Sequence, residues 1–280
     1  MAKVKFTVLG GGGFVGTHLV HYLRGQGHSV NVPARSLEGV FDSDLGHVIY
    51  AIGLTGDFRK RPFDTVEAHV CLLAKMLQKC RFDSWLYLSS TRVYASLDRD
   101  KPAGESSTIA VAPGSDSLYN LSKLMGESIC LACPSPTVRV ARLSNVYGAG
   151  ISTDTFLGSV MDDLRRLSRV TVNESPDSGK DYVAIDEVVP LLEVISLRGL
   201  ERLYNVASGR MVTHGELFEK ICRLTGFTAE YSGGGLTRTF PVVDISRAQA
   251  EFGFRPNNLL DTLDGLLAAC GVRYNAGDDL

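Results

Sequence analysis

Tyr119 and Lys123 stand four residues apart in SLYNLSKLMGE, residues 117–127. If the segment is helical, four positions make one turn and bring the phenol and the ammonium onto one face, heads within reach. A free phenol titrates near pH ~10, and a nearby positive charge favours the phenolate and brings it toward neutral pH, as acid–base work needs. Alone, the spacing equally fits an exposed pair on an amphipathic helix, so the chemistry needs companions.

A second group supplies them. Gly10, Gly13 and Gly16 read G-x-x-G-x-x-G, and Gly11, Gly13 and Gly16 read G-x-G-x-x-G in the same letters. Glycine lets such a turn tighten, lets the backbone approach a pyrophosphate, and lets the next helix pack on the strand with its N-terminus toward the phosphates. A merely structural turn would use the same letters. The placement between the apolar run Phe6 to Leu9 and a helical pattern from Phe14 favours dinucleotide binding, with Gly10, Gly13, Phe14, Val15 and Gly16 as candidate contacts. An NAD site usually sets an Asp or Glu about 20 residues beyond the glycines, on the ribose 2′-hydroxyl. In VNVPARS that place holds Ala34, followed by Arg35 and Ser36. A guanidinium pairs with a 2′-phosphate and gains nothing from a bare hydroxyl, so the expected cofactor is NADP, with NAD as the alternative and Arg35 as a solvated loop charge in that case.

These residues need elements to hold them. The patterning predicts strands at 3–9, 29–34, 47–52, 85–88 and 137–141, with helices from Phe14, from Pro62 to Lys79, and around Tyr119. Short strands alternating with helices imply right-handed crossovers and a doubly wound parallel α/β sheet. Beyond residue 150 a helix near 155–167 and a strand at 170–172 follow. Two further helices open on capping boxes, Thr213 with Glu216 and Ser246 with Gln249. The expected division is a dinucleotide-binding domain, 1–150 with about 181–206, and a smaller substrate-binding α/β subdomain, 151–180 with 207–280. Ser232 to Leu236 is the most linker-like piece.

Composition bounds the function. With 280 residues, 44% hydrophobic, 21% charged and a formal charge of −2, the chain buries a large core and offers no basic surface for nucleic acid. The amino terminus shows neither a signal peptide nor a membrane span, and the six cysteines form no disulfide framework, so the expectation is a cytoplasmic protein without a membrane. Cys130 and Cys133 form one C-x-x-C without a second pair or flanking His, and no metal is expected.

Taken in order, VLGGGGFVG, YLSSTRVY, SLYNLSKLMGE, RLSNVYGAG, GKDYVAIDEVV, YNVASG and SRAQAEFGFRP resemble the extended short-chain dehydrogenase/reductase superfamily in its NAD-dependent epimerase/dehydratase branch. The resemblance runs nearly end to end. It implies a Rossmann fold and sugar-nucleotide substrates, with Tyr119 as general acid/base, Lys123 as its electrostatic partner and ribose ligand, and Ser90 as the hydroxyl orienting the reacting oxygen. Ser89 and Thr91 are alternatives for that hydroxyl. Thr91, Asn145 and Lys180 fall where the family contacts substrate, and a homodimer through helices of the cofactor domain is also implied. Departures are a shortened connection between Arg35 and His47, and His69 where the family commonly has Asn. That His69 either joins a proton network or is a satisfied helix-face histidine. Arg59, Lys60 and Arg61 crowd a loop after a strand, as phosphate contacts or as a solvated charge run.

Family 4,6-dehydratases follow the active-site hydroxyl with an Asp-Glu pair, and Thr91 and Arg92 stand there instead; a cysteine typical of 3,5-epimerising members is also missing. The expected reaction is therefore NADP-dependent reduction of a keto group on a sugar nucleotide, with an NAD-dependent 4-epimerase as the alternative. A dinucleotide-binding sensor or scaffold of the same fold is the alternative of another class.

Overall fold

The structure is a computed structural model, and it describes residues 3–54, 56–231 and 237–274. The linker-like piece Ser232 to Leu236 lies outside the described residues. The chain opens with strand β1 (Lys5–Leu9), helix α1 (Phe14–Gly25), β2 (Ser29–Asn31) and β3 (His47–Tyr50). Next come α2 (Pro62–Val66), a π-helical turn (Glu67–Cys71) and α3 (Leu72–Lys79), then β4 (Ser84–Ser90), α4 (Leu118–Ala132) and β5 (Val138–Leu143). After β6 (Asn145–Tyr147), α5 (Phe156–Leu167), β7 (Arg169–Val172) and β8 (Gly179–Ala184), α6 (Ile185–Arg198) leads to β9 (Leu203–Val206). The remainder is β10 (Met211–Thr213), α7 (His214–Thr225), β11 (Thr228–Tyr231), α8 (Ser246–Phe252) and α9 (Leu263–Ala269).

Six strands pair in the order β2-β1-β3-β4-β5-β9, all parallel. Helices cover both faces, so the central strands β4 and β5 are buried along nearly their whole length, and alternate residues serve opposite layers. Leu86 and Leu88 of β4 join the core that includes Leu19 and Leu23 of α1 and Val188 and Leu192 of α6. Trp85 and Tyr87 join the core with Leu73 and Met76 of α3 and Cys130 of α4. The order reverses between β1 and β3, and ligands of doubly wound sheets bind outside the carboxyl ends of the strands at that switch point.

A three-stranded sheet, β10-β8-β6, and the pair β11-β7 share a second core with α5, α7 and α9, built on Leu157, Leu164, Leu217, Phe218 and Leu263. This core lies along the chain beyond the Tyr119 helix, and Lys180 of β8 rests over the ring of Phe156, the first residue of α5.

Several boundaries differ from expectation. Strand β2 stops at Asn31, two residues before Pro33, which has no N–H to give a ladder. The connection from β2 to β3 carries only turns, the shortened crossover that the spacing predicts. The helix expected over Pro62 to Lys79 contains the π-helical turn. Thr213 and Glu216 form the expected capping box. Ser246 does not: it is the first helical residue, the N-cap is Ile245, and the Ser246 N–H is taken by the Asp244 carboxylate at 2.8 Å. A carboxylate two residues upstream satisfies the same orphan donor and displaces the hydroxyl from the cap.

Candidate active site

The glycine turn is built for close approach. Gly10 has φ +84°, and a β-carbon there would lie 2.7 Å from the Ala51 carbonyl carbon of the neighbouring chain segment. A β-carbon on Gly16 would lie 2.2 Å from the Gly10 carbonyl oxygen, so only glycine lets α1 sit this close to the turn. Gly13 is the N-cap of α1, with no side-chain cap and no acid in the first turn. The helix therefore presents uncapped N–H groups at its positive end, beside the switch point, and fits a pyrophosphate. Phe14 and Val15 open the helix within that end and pack against the first core. Arg35 and Ser36 lie exposed in the turn after β2, the strand next to β1.

Tyr119, Lys123 and Glu127 recur every four residues on α4, and all three are buried. That face looks onto β4 and β5. The Lys123 ammonium donates to the Leu88 carbonyl at 2.9 Å, two residues before Ser90, so the carboxyl end of β4 and the Tyr119 helix meet at one point. Burial lowers the Lys123 pKa from 10.5 to about 7, although the Glu127 charge opposes the fall. One turn on, Glu127 takes a bidentate ion pair from Arg142 of β5, with Nη2 to Oε2 at 2.6 Å and Nε to Oε1 at 3.0 Å. Arg142 Nη1 continues to the Tyr94 hydroxyl at 2.7 Å, which lies 2.8 Å from Asn205 Oδ1. This chain of buried charge-assisted bonds fixes α4 against the sheet.

The hydroxyl cluster divides by environment. Ser89 is buried and donates to Glu127, so its oxygen belongs to that network. Ser90 is half-buried and accepts from the Arg92 N–H at 3.2 Å as N-cap of the 3₁₀ turn Thr91–Ser96. Thr91, also half-buried, begins that turn.

The His69 ring stands edge-on to Tyr119, 5.5 Å between centroids. Its Nε2 accepts the Leu54 N–H at 3.2 Å, so the proton sits on Nδ1, which meets Ser122 Oγ at 2.8 Å. Ser122 in turn donates to the Tyr119 carbonyl at 2.8 Å. Burial, and secondarily the Lys123 charge, depress the His69 pKa to about 2 and keep the ring neutral. His69 is thus a satisfied histidine, and the bonds it makes tie the β3 loop to the backbone of Tyr119. A π-helical turn re-aims side chains out of the ordinary helical register, and this one is centred on His69.

Around the Tyr119 ring the structure gathers residues far apart in the chain. Phe58 is buried with its ring 5.4 Å from that of Tyr119. The Arg92 guanidinium lies 5.0 Å from the Phe58 ring centroid and 5.4 Å from that of Tyr119. Arg59 lies 4.6 Å over Phe58 and pairs with Asp116 at 2.6 Å. Arg61 pairs with Asp57 and Asp64 on the surface, so of the basic run it is Arg59 that reaches this cluster. Lys180, half-buried, lies 4.3 Å over the Phe156 ring. His214 stacks on Phe156 at 4.1 Å, with both ring nitrogens unbonded and Glu174 Oε2 at 3.8 Å. Burial, then the Lys180 charge, lowers the His214 pKa to about 4. Arg238 faces Glu174 at 3.7 Å. Asn145 is occupied, its amide donating to the Asp181 carbonyl at 2.8 Å and tying β6 to β8. Asp181 accepts the N–H groups of Ser208 and Arg210 at 2.8 and 3.1 Å and is a structural carboxylate.

Phe58, Arg238 and His214 were not legible as site residues in the sequence. Arg92 was visible only as an occupant of the second position after Ser90. Among the described residues no group of His, Cys, Asp and Glu could hold a metal ion, and no helix is long and apolar enough to cross a membrane.

Comparison with known proteins finds the same fold elsewhere. In Escherichia coli, dTDP-4-dehydro-6-deoxyglucose reductase is 29% identical over 164 residues, 53% of this chain; the match spans about half, 49%, of that relative's length. MoeE5, solved in complex with UDP-glucose and NAD, shares the fold at a TM-score of 0.81 and 21% identity, over 95% of this chain and 98% of its own. The RMD of Pseudomonas aeruginosa, complexed with NADPH, does so at 0.79 and 23% identity, over 96% and 100% of the two chains. A family model spans the glycine turn, the end of β4, and the Tyr119 helix together, matching residues 6–207. This chain belongs to the NAD dependent epimerase/dehydratase family.

Proposed function

We propose that the protein is an NADP-dependent reductase of a keto group on a nucleotide-activated sugar. The observation that carries this reading is the meeting of Lys123 of α4 with the carboxyl end of β4 at Leu88, beside the half-buried Ser90 and one turn from Tyr119. A bound reduced nicotinamide supplies hydride to the carbonyl carbon. Tyr119 delivers the proton to the carbonyl oxygen, and Ser90 hydrogen-bonds that oxygen and orients it. Lys123 favours the phenolate that Tyr119 leaves behind and binds ribose hydroxyls. Gly10, Gly13, Phe14, Val15 and Gly16 are assigned to the pyrophosphate end, and Arg35 and Ser36, exposed after β2, to a 2′-phosphate. Sugar-nucleotide recognition draws support from the UDP-glucose complex of MoeE5 and the dTDP-sugar name of the Escherichia coli relative. The substrate side is assigned to residues 151–180 and 207–280, with Lys180 and Asn145 toward the substrate phosphates and Thr91 as a further substrate contact.

An exchanging reductase draws on NADPH at every turnover, whereas a 4-epimerase keeps one NAD bound. Arg35 in place of an acid favours the former. The test is to denature the purified protein and identify any released nucleotide by mass spectrometry. NADP, or an empty site that then binds NADPH far more tightly than NADH, supports the reductase; retained NAD puts the 4-epimerase first. A homodimer through helices of the cofactor domain belongs to the same proposal, with the Tyr119 helix α4, on which Met125 is 54% exposed, as one such surface.

A further inference from the structure

Arg92 is a half-buried cation held against aromatic rings. Among the described residues its side chain makes no hydrogen bond and no ion pair. It rests on the rings of Phe58 and Tyr119, at 5.0 and 5.4 Å. Burial opposes its charge, and the like charge of Arg59 opposes it further. The Asp116 charge favours that of Arg92, but this carboxylate is held by Arg59 at 2.6 Å. A guanidinium withdrawn from water without a counter-ion is costly, and the five donors of its planar fork match a carboxylate bidentately.

A second cationic group lies within electrostatic reach of Arg92, Lys180 with Arg238, and Glu174 faces Arg238 at 3.7 Å. Among the described residues Lys180 makes no ion pair, and it lies over Phe156 rather than Tyr119. A sugar nucleotide has one diphosphate, and the Lys180–Arg238 group suits it. The Arg92 guanidinium stands instead against the ring of the proton donor, where the reacting carbon must come. An anion there belongs to the sugar itself, on a carbon next to the reacting one.

We propose that the substrate's sugar is acidic, of the uronic acid type, and that Arg92 is the residue that selects it by pairing with the sugar carboxylate beside Tyr119. This rests on the sugar-nucleotide reading above and narrows it. Arg92 then explains the absence of the dehydratase acid pair at this place: the position is spent on recognition instead of on proton removal.

The test is calorimetric binding of matched ligand pairs to the protein saturated with its cofactor: UDP-glucuronic acid against UDP-glucose, and the dTDP pair alongside. Wild type is expected to prefer the uronate by about 10-fold or more, the size of a charge-assisted bidentate contact. Arg92→Met keeps an apolar stem over Phe58; it should lose that preference while binding the neutral sugar nucleotide within about twofold of wild type. Equal affinity of wild type for acid and neutral sugar overturns the proposal, and needs no variant. Equal weakening of both ligands by Arg92→Met also overturns it, since Arg92 would then be a diphosphate contact. If none of the four ligands binds, the sugar-nucleotide reading itself falls; tight binding of the neutral ligands without preference for the uronates sinks the acidic sugar alone.

Discussion

Replacing Lys123 by methionine should make the folded protein more stable at neutral pH while removing its turnover. Lys123 is 5% exposed, and burial takes its pKa from 10.5 to about 7. Between those two values the unfolded chain binds the proton and the folded one does not, so stability rises with pH across this window. Below pH ~7 both states hold the proton and the penalty is complete. The fall corresponds to about 5 kcal/mol at roughly 1.4 kcal/mol per pH unit. Against it stands the bond from Nζ to the Leu88 carbonyl, whose loss leaves a buried acceptor and costs about 1–3 kcal/mol. Lys123→Met should therefore gain about 2–4 kcal/mol at pH 7, and the gain should vanish or change sign by pH ~10. Urea unfolding of both proteins at pH 7, 8.5 and 10 measures it; ionising tyrosines are common to both and drop out of the difference. A difference that is flat with pH would refute the reasoning. It would mean that Lys123 keeps its charge in the fold, compensated by something other than Leu88 and Glu127.

Two further outcomes follow from the network around this lysine. Glu127→Gln leaves the Arg142 guanidinium buried with half its pairing and should cost about 3–5 kcal/mol in chemical denaturation, a price that Glu127→Gln with Arg142→Met should partly restore; a loss below about 1 kcal/mol would show the pair to be solvated. His69→Ala abandons the bonds to Leu54 and Ser122 and should lower kcat about 10-fold with NADPH affinity unchanged, because it loosens the backbone that carries Tyr119 and leaves the glycine turn alone; wild-type kcat would leave His69 a purely structural residue.

What the sequence makes legible is what depends on neighbours in the chain. Gly16 is demanded by the Gly10 carbonyl within the turn itself and Gly10 by its own positive φ, so their spacing carries meaning unaided, although the close approach of Ala51 to Gly10 comes from a distant part of the chain. Tyr119 and Lys123 are legible through the helical repeat. The same repeat continues to Glu127, yet a glutamate on a helix reads as a solvated charge until Arg142, fifteen residues away on β5, arrives to pair with it. Only the packing of α4 onto the sheet brings the two together, and only that packing separates Ser89, held by Glu127, from Ser90. The Ser246 capping box failed for a local reason, since Asp244 and Ser246 both suit a helix start and the backbone settles on the carboxylate. Phe58 and Arg92 lie at the other extreme. Their roles arise where a loop after β3 and a turn after β4 converge over Tyr119, a place set by strand order and not by spacing. A parallel sheet brings successive loops to one edge, so its selectivity is written in residues that look like ordinary loop charges in the sequence. Arg92 is the point where the proposal can be read: among the described residues it makes no ion pair, and a cation kept half-buried beside Tyr119 makes physical sense when its counter-ion comes with the substrate.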